Sequence, residues 1–163
     1  MSFSSDIRKA ANKMKVGYDE LVRASLYDLS AQVMKRTPVG NPDLWVAFDK
    51  TSGTYVDYVA YRGYPAGYVG GQARGNWFAS INSPKTQPDY NTIDATGAQT
   101  LSSIGMVTES APGNIWYLTN NLPYINRLEF DAWSTQAPKG MVRISLSNFK
   151  KAIAKAAREV PKL

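Results

Sequence analysis

Ahead of Pro38 the chain has no proline and one glycine, Gly17. Over that stretch Ile7, Ala11, Met14, Tyr18, Leu21, Val22, Leu29 and Val33 recur mostly at spacings of three and four. This pattern predicts one long amphipathic helix. Ser4 or Ser5 can cap it, and Asp6 suits its positive end. Lys35 and Arg36 suit the negative end, and Pro38 stops it. Gly17 weakens it by about 1 kcal/mol relative to alanine. Some thirty residues at 1.5 Å each make a rod of about 45 Å. That is longer than a single domain of 163 residues needs, so the rod is expected to run along a neighbouring copy of the same chain.

The other end carries a second helical pattern. Val142, Leu146, Phe149, Ile153, Ala156 and Val160 share one face, and Lys150, Lys151, Lys155 and Arg158 lie off it. Leu146, Phe149 and Ile153 are expected to pack against Met14, Tyr18 and Leu21.

Between the helices the pattern has period two or none. Residues 37–42 are dense in turn formers. Runs 44–48 and 55–61 read as a β-hairpin. Residues 62–75 hold Gly63, Gly67, Gly70, Gly71 and Gly75, and read as a long mobile contact loop. A strand is expected from Trp77 to Asn82, then an exposed loop over 83–91. Residues 95–106 suit a short helix through Leu101 and Ile104, weakened by Gly97 and Gly105. A central strand at 114–120, a short helix at 122–130 and an irregular stretch at 132–140 complete the chain. The class is α+β: a long N-terminal helix and a C-terminal amphipathic helix packed on a small, mostly antiparallel β-sheet, with long Gly/Pro/Tyr-rich loops, as one domain over 1–163.

With no Cys and no His, disulfides, thiolate or imidazole metal sites and histidine-based catalysis are ruled out. No catalytic, cofactor-binding or metal-binding set is predicted. Glu109, Glu129 and Asp131 could supply the carboxyl pair of a glycosidase, which needs a defined separation around a sugar cleft. The glycine-rich loop lacks the Gly-Lys-Ser/Thr ending of a phosphate loop. Ser147 and Lys150 have Ser-x-x-Lys spacing, but Phe149 between them belongs to the apolar stripe. Trp77 and Trp116 read as core or interface anchors. No apolar run reaches the ~18 residues of a membrane span.

The formal charge is +6. It is concentrated after Pro138, where seven bases face one acid; residues 37–138 carry five bases and eight acids. A basic end can meet nucleic acid, so one alternative is a nucleic-acid-binding module using the C-terminal helix.

Several pieces occur in a telling order: Thr37-Pro38-Val39-Gly40 after the long helix, Arg74-Gly75-Asn76-Trp77, Asn120-Asn121-Leu122-Pro123-Tyr124, Leu128-Glu129-Phe130, and Ser134-Thr135-Gln136-Ala137-Pro138-Lys139-Gly140-Met141 before the last helix. In this order they resemble the neck and tail-completion proteins of tailed bacteriophages. Residues 44–65 look like a hairpin insertion relative to shorter relatives, and family members often have Gly where Phe130 or Asp131 stands.

The resemblance implies a structural protein of the virion neck or tail, made in the host cytoplasm, and not an enzyme. Such proteins form rings, commonly of six copies. The ring would join a head-completion or connector protein to a tail terminator or tail tube protein, with DNA passing through its lumen without sequence-specific binding and with no membrane involved. The motif residues Arg74, Asn76, Trp77, Asn120, Asn121, Tyr124, Glu129, Gln136 and Pro138 are then the expected contact residues, and residues 134–141 a contact segment.

Overall fold

The computed structural model describes residues 3–41, 46–57 and 68–149, with side chains over 17–41, 49–56 and 68–149. Helix α1 spans Phe3–Arg36, about 50 Å at 1.5 Å per residue. It ends where the Thr37 N–H turns back to the carbonyls of Val33 and Met34 and the Thr37 hydroxyl donates to Val33 O at 2.8 Å. Pro38 has no N–H with which to continue.

Strands β1 (Val46–Asp49) and β2 (Thr54–Asp57) form the expected antiparallel hairpin, with Asp49 opposite Thr54. The remainder of the 44–65 segment lies outside the described residues. A single helical turn, α2 (Gln72–Gly75), leads into β3 (Phe78–Ile81). Helix α3 covers Ala98–Thr108, and β4 (Trp116–Thr119) returns antiparallel to β3. Helix α4 spans Ile125–Phe130. Helix α5 occupies residues 142–149, the last described. The fold is therefore α+β, with two two-stranded antiparallel sheets.

Helices α1 and α3 run antiparallel. Gly97 at the start of α3 lies against Met34, Gly105 lies against the ring of Tyr27, and Glu109 just past its end pairs with Arg23 at 3.3 Å. Eleven residues of α3 can cover only this last part of α1. Hence Leu29, Val33 and Met34 are buried, while Tyr18 is 64% and Leu21 44% exposed. The expected packing of Leu146 and Phe149 on Tyr18 and Leu21 is thereby corrected. Leu146 is exposed, and Phe149 lies half-buried on the central core. Met14 and Ile153 lie outside the described side chains.

That core joins Leu29, Val33 and Met34 to Ala73, Trp77, Ile104, Leu122, Ile125, Leu128, Ala137 and Met141. One face of the β3–β4 sheet, with Ala79, Trp116 and Leu118, packs on it. Three polar atoms of this sheet, Ser80 Oγ, Thr119 Oγ1 and Trp116 Nε1, are buried without a hydrogen-bond partner.

The glycine-rich segment is not an open loop over its described part. Gly70 and Gly71 are buried with φ of 83° and 104°. A Cβ at Gly70 would lie 2.1 Å from Gly40 O, and one at Gly71 2.4 Å from Ala95 N. Only glycine allows three backbone segments to meet this closely in that conformation. The expected contact loop is, over residues 70–75, a packing joint. Residues 62–67 lie outside the described set.

Candidate interaction surface

Most of the motif residues turn inward, and they converge on one another. Thr37, fully buried, is the hub. Its carbonyl accepts from Arg74 Nε at 2.8 Å, and its hydroxyl accepts from Trp77 Nε1 at 2.8 Å. Arg74 also donates through Nη1 to Ala95 O at 2.8 Å. Asn76, with no exposed surface, donates to the carbonyls of Gln72 and Asp89 and accepts from Asp89 N–H at 2.7 Å. Asn120 donates to Ala73 O and Asn121 to Lys85 O, each at 2.8 Å. The Tyr124 hydroxyl donates to Gln72 Oε1 at 3.2 Å. Asn76 and Asn121 therefore pin the 83–91 loop to the body of the fold.

Glu129 is buried and faces the start of α5. Its carboxylate accepts the N–H groups of Met141, Val142 and Arg143 at 2.6–2.9 Å, and Arg143 Nε at 3.2 Å. A guanidinium nitrogen of Arg143 also donates to the Glu129 carbonyl. An anion among the unpaired N–H groups of a helix start is a favourable placement. Burial pushes this carboxyl up, but the amide and guanidinium hydrogen bonds outweigh it and hold it below the ordinary carboxylate range. Gly140, with φ of 82°, closes the turn; a Cβ there would lie 2.5 Å from Glu129 O.

Asp94 does the same for α3, accepting the N–H groups of Gly97 and Thr100 at 2.8 and 2.9 Å. Burial again raises it, and bonds from Thr100, Thr96 and Gly97 bring it below the usual range.

Three of the expected contact residues lie inside the subunit: Asn76, Trp77 and Glu129 are buried, and their polar atoms bond within it. Four donors hold the Glu129 oxygens, and Glu109 forms a surface ion pair with Arg23. Arg74, Asn120, Asn121 and Tyr124 are half-buried and tied internally. Gln136 and Pro138 are exposed, as a contact role requires, though Gln136 also bonds Val39 within the chain.

Two shallow clefts follow the α1–α3 seam. One, of about 370 Å³, is lined by Met34, Lys35, Arg74 and Gly97 among others, and one, of about 300 Å³, by Arg23, Tyr27, Gly105 and Glu109. In the first, the start of α3 is already occupied by the Asp94 carboxylate. Among the described residues no group of three acidic side chains could hold a metal ion, and no helix is long and apolar enough to cross a membrane.

Of the residues that face outward together, Tyr124 and Phe130 belong to the motifs, whereas Trp133 was not singled out by sequence. Phe130 is 61% and Trp133 52% exposed. The Arg143 guanidinium lies 4.8 Å from the Phe130 ring centroid, and that of Arg127 4.5 Å from the Trp133 ring. Tyr124 meets Trp133 edge to face at 6.1 Å. Ala132, at φ 51°, makes the turn between the two rings. Exposed aromatics under arginines are the composition of energetic anchors at interfaces. The available signal was an arginine followed by aromatics at three-residue steps, Arg127, Phe130 and Trp133.

Comparison of the chain with protein-family models, with curated proteins and with solved structures finds no match.

Proposed function

We propose that this chain is a structural protein of the tailed-phage neck. Copies of it, six in the simplest case, form a ring that joins the head connector to the tail tube and lets DNA through. One observation carries the reading. The short motifs that resemble the neck and tail-completion family lie far apart in sequence, yet their residues bond to one another. Thr37 meets Arg74 and Trp77, Val39 meets Gln136, Asn120 meets the chain beside Arg74, and Glu129 meets Met141. Motifs that brace each other behave as the signature of one fold, not as separate coincidences. The role asks for no catalysis. It does ask for outward anchors, and the Phe130–Trp133 patch and the open face of α1 offer them.

The test is imaging of particles made without the chain. Heads and tails that fail to join, and that join again when the chain is supplied, support the role. Normal particles overturn it. Titrating purified chain with DNA across salt concentrations separates this from the basic-module alternative, whose affinity falls with a slope that counts phosphate contacts.

A further inference from the structure

Along residues 17–28 of α1, which α3 reaches only at its far end through Arg23 and Tyr27, one face is exposed. Gly17, Leu21, Ala24 and Asp28 lie along one side of the helix, flanked by Tyr18, Glu20 and Tyr27, and all seven are exposed. A Cβ at Gly17 would meet nothing within 4 Å. The smallness of this residue, which weakens the helix by about 1 kcal/mol against alanine, thus makes room for nothing among the described residues of its own subunit. The face is apolar at Leu21 and Ala24 and acidic at its flank and far end, through Glu20 and Asp28, the latter also accepting from Gln32 at 2.7 Å. Arg23, the base beside it, is paired with Glu109.

Such a face is poorly matched to its own copy, because a two-fold contact sets acidic borders against each other. The Phe130–Trp133 patch has the opposite character. Arg127 has no carboxylate within ion-pair distance among the described residues, and the Arg143 side chain remains 52% exposed above Phe130. The Glu129 charge beneath it is buried among amides, leaving Asp131, next to Phe130 in the chain, as the exposed acid.

We infer that residues 17–28 of α1 in one copy dock on the Arg127, Phe130 and Trp133 patch of the next, with the acidic border of the helix against Arg127. Each copy then offers one surface of each kind. A head-to-tail contact of this type closes into a ring when its rotation permits. The inference rests on the reading of the chain as one that assembles with itself.

Sedimentation velocity on the full chain tests it, using Glu20→Arg, Arg127→Glu and the variant carrying both. Neither side chain has an ion-pair partner within the described subunit, and circular dichroism and thermal melting check that the fold is kept. Each single reversal is expected to weaken self-association by about tenfold or more, and the double reversal to restore most of it. Trp133→Ser is expected to weaken it without rescue by either change. Association unchanged in both single variants overturns the contact, as does loss in Glu20→Arg alone, which places α1 against a different surface. A double variant no better than the singles, or a wild-type chain that stays monomeric at every concentration, also overturns it. Particle imaging tests the ring role separately. Particles that need the chain, together with unchanged association in the variants, refute this contact and leave the ring standing.

Discussion

Gln136 binds the backbone of Val39 through both ends of its amide: Oε1 accepts the Val39 N–H at 3.2 Å, and Nε2 donates to the Val39 carbonyl at 2.8 Å. A side chain here does what a neighbouring strand would do, and it ties the segment after α1 to the segment before α5. Both bonds are exposed, so their net worth is modest. Gln136→Ala should lower unfolding free energy by about 1 kcal/mol. Hydrogen exchange should show faster exchange at Val39 with little change in α3. A variant as protected at Val39 as the parent contradicts the tie.

The carboxylate of Glu129 should matter more. Glu129→Ala leaves three backbone N–H groups at the start of α5 without their acceptor and should cost about 2–4 kcal/mol in a urea titration. Glu129→Gln keeps an acceptor but loses the charge and should fall between. The folded pKa of this group, like that of Asp94, lies below its unfolded value. Its contribution is therefore complete above the unfolded pKa and is lost as pH falls toward the folded one. Stability should decline below about pH 5 and keep declining past the ordinary carboxylate range. In Glu129→Gln that decline should be shallower. An unchanged pH profile contradicts the assignment.

Trp77 and Thr37 form a buried pair whose removal should not be additive. Trp77→Phe keeps much of the ring but withdraws the N–H, and should cost about 1–2 kcal/mol. Thr37→Val strands that N–H in the core at a similar cost. A double-mutant cycle should return a coupling of about 1 kcal/mol, since the two changes remove one shared bond. Coupling near zero means that the bond contributes nothing net.

Thr119 points the other way. Its hydroxyl is buried without a partner. Thr119→Val preserves the branched shape and removes an unpaired polar atom, so it should be neutral or stabilising by up to about 1 kcal/mol. A measurable loss of stability shows that the hydroxyl is bonded in solution.

The parts of the fold legible in the sequence were those with local period. The length of α1, its stop at Pro38, the hairpin near residues 46–57, the strands at 78–81 and 116–119 and the onset of α5 follow from spacing alone. The roles of Arg74, Asn76 and Glu129 do not. Arg74 acts on a carbonyl 37 residues away and Glu129 on amides 12 to 14 residues ahead. A motif marks such residues as special without saying whether they face a partner or their own backbone. The apolar stripe of α1 misled for a related reason. Periodicity tells which side of a helix is apolar, but the length of α3 decides how much of that side is covered. Phe130 was marked only as part of a motif and Trp133 went unnoticed, because exposed aromatics read like core ones until the chain is folded.

Arg143 belongs at once to the cap of α5 and to the outward patch, since it bonds Glu129 and lies over Phe130. Occupancy of the surface and order at the start of the last helix are consequently linked quantities. A neighbour that fixed Arg143 over Phe130 would be expected to help hold the Glu129 carboxylate on its amides. Such an event is readable at a distance from the contact itself, as slowed exchange of the Met141, Val142 and Arg143 N–H groups. Acid that neutralises Glu129 should loosen a bound neighbour through the same thermodynamic cycle.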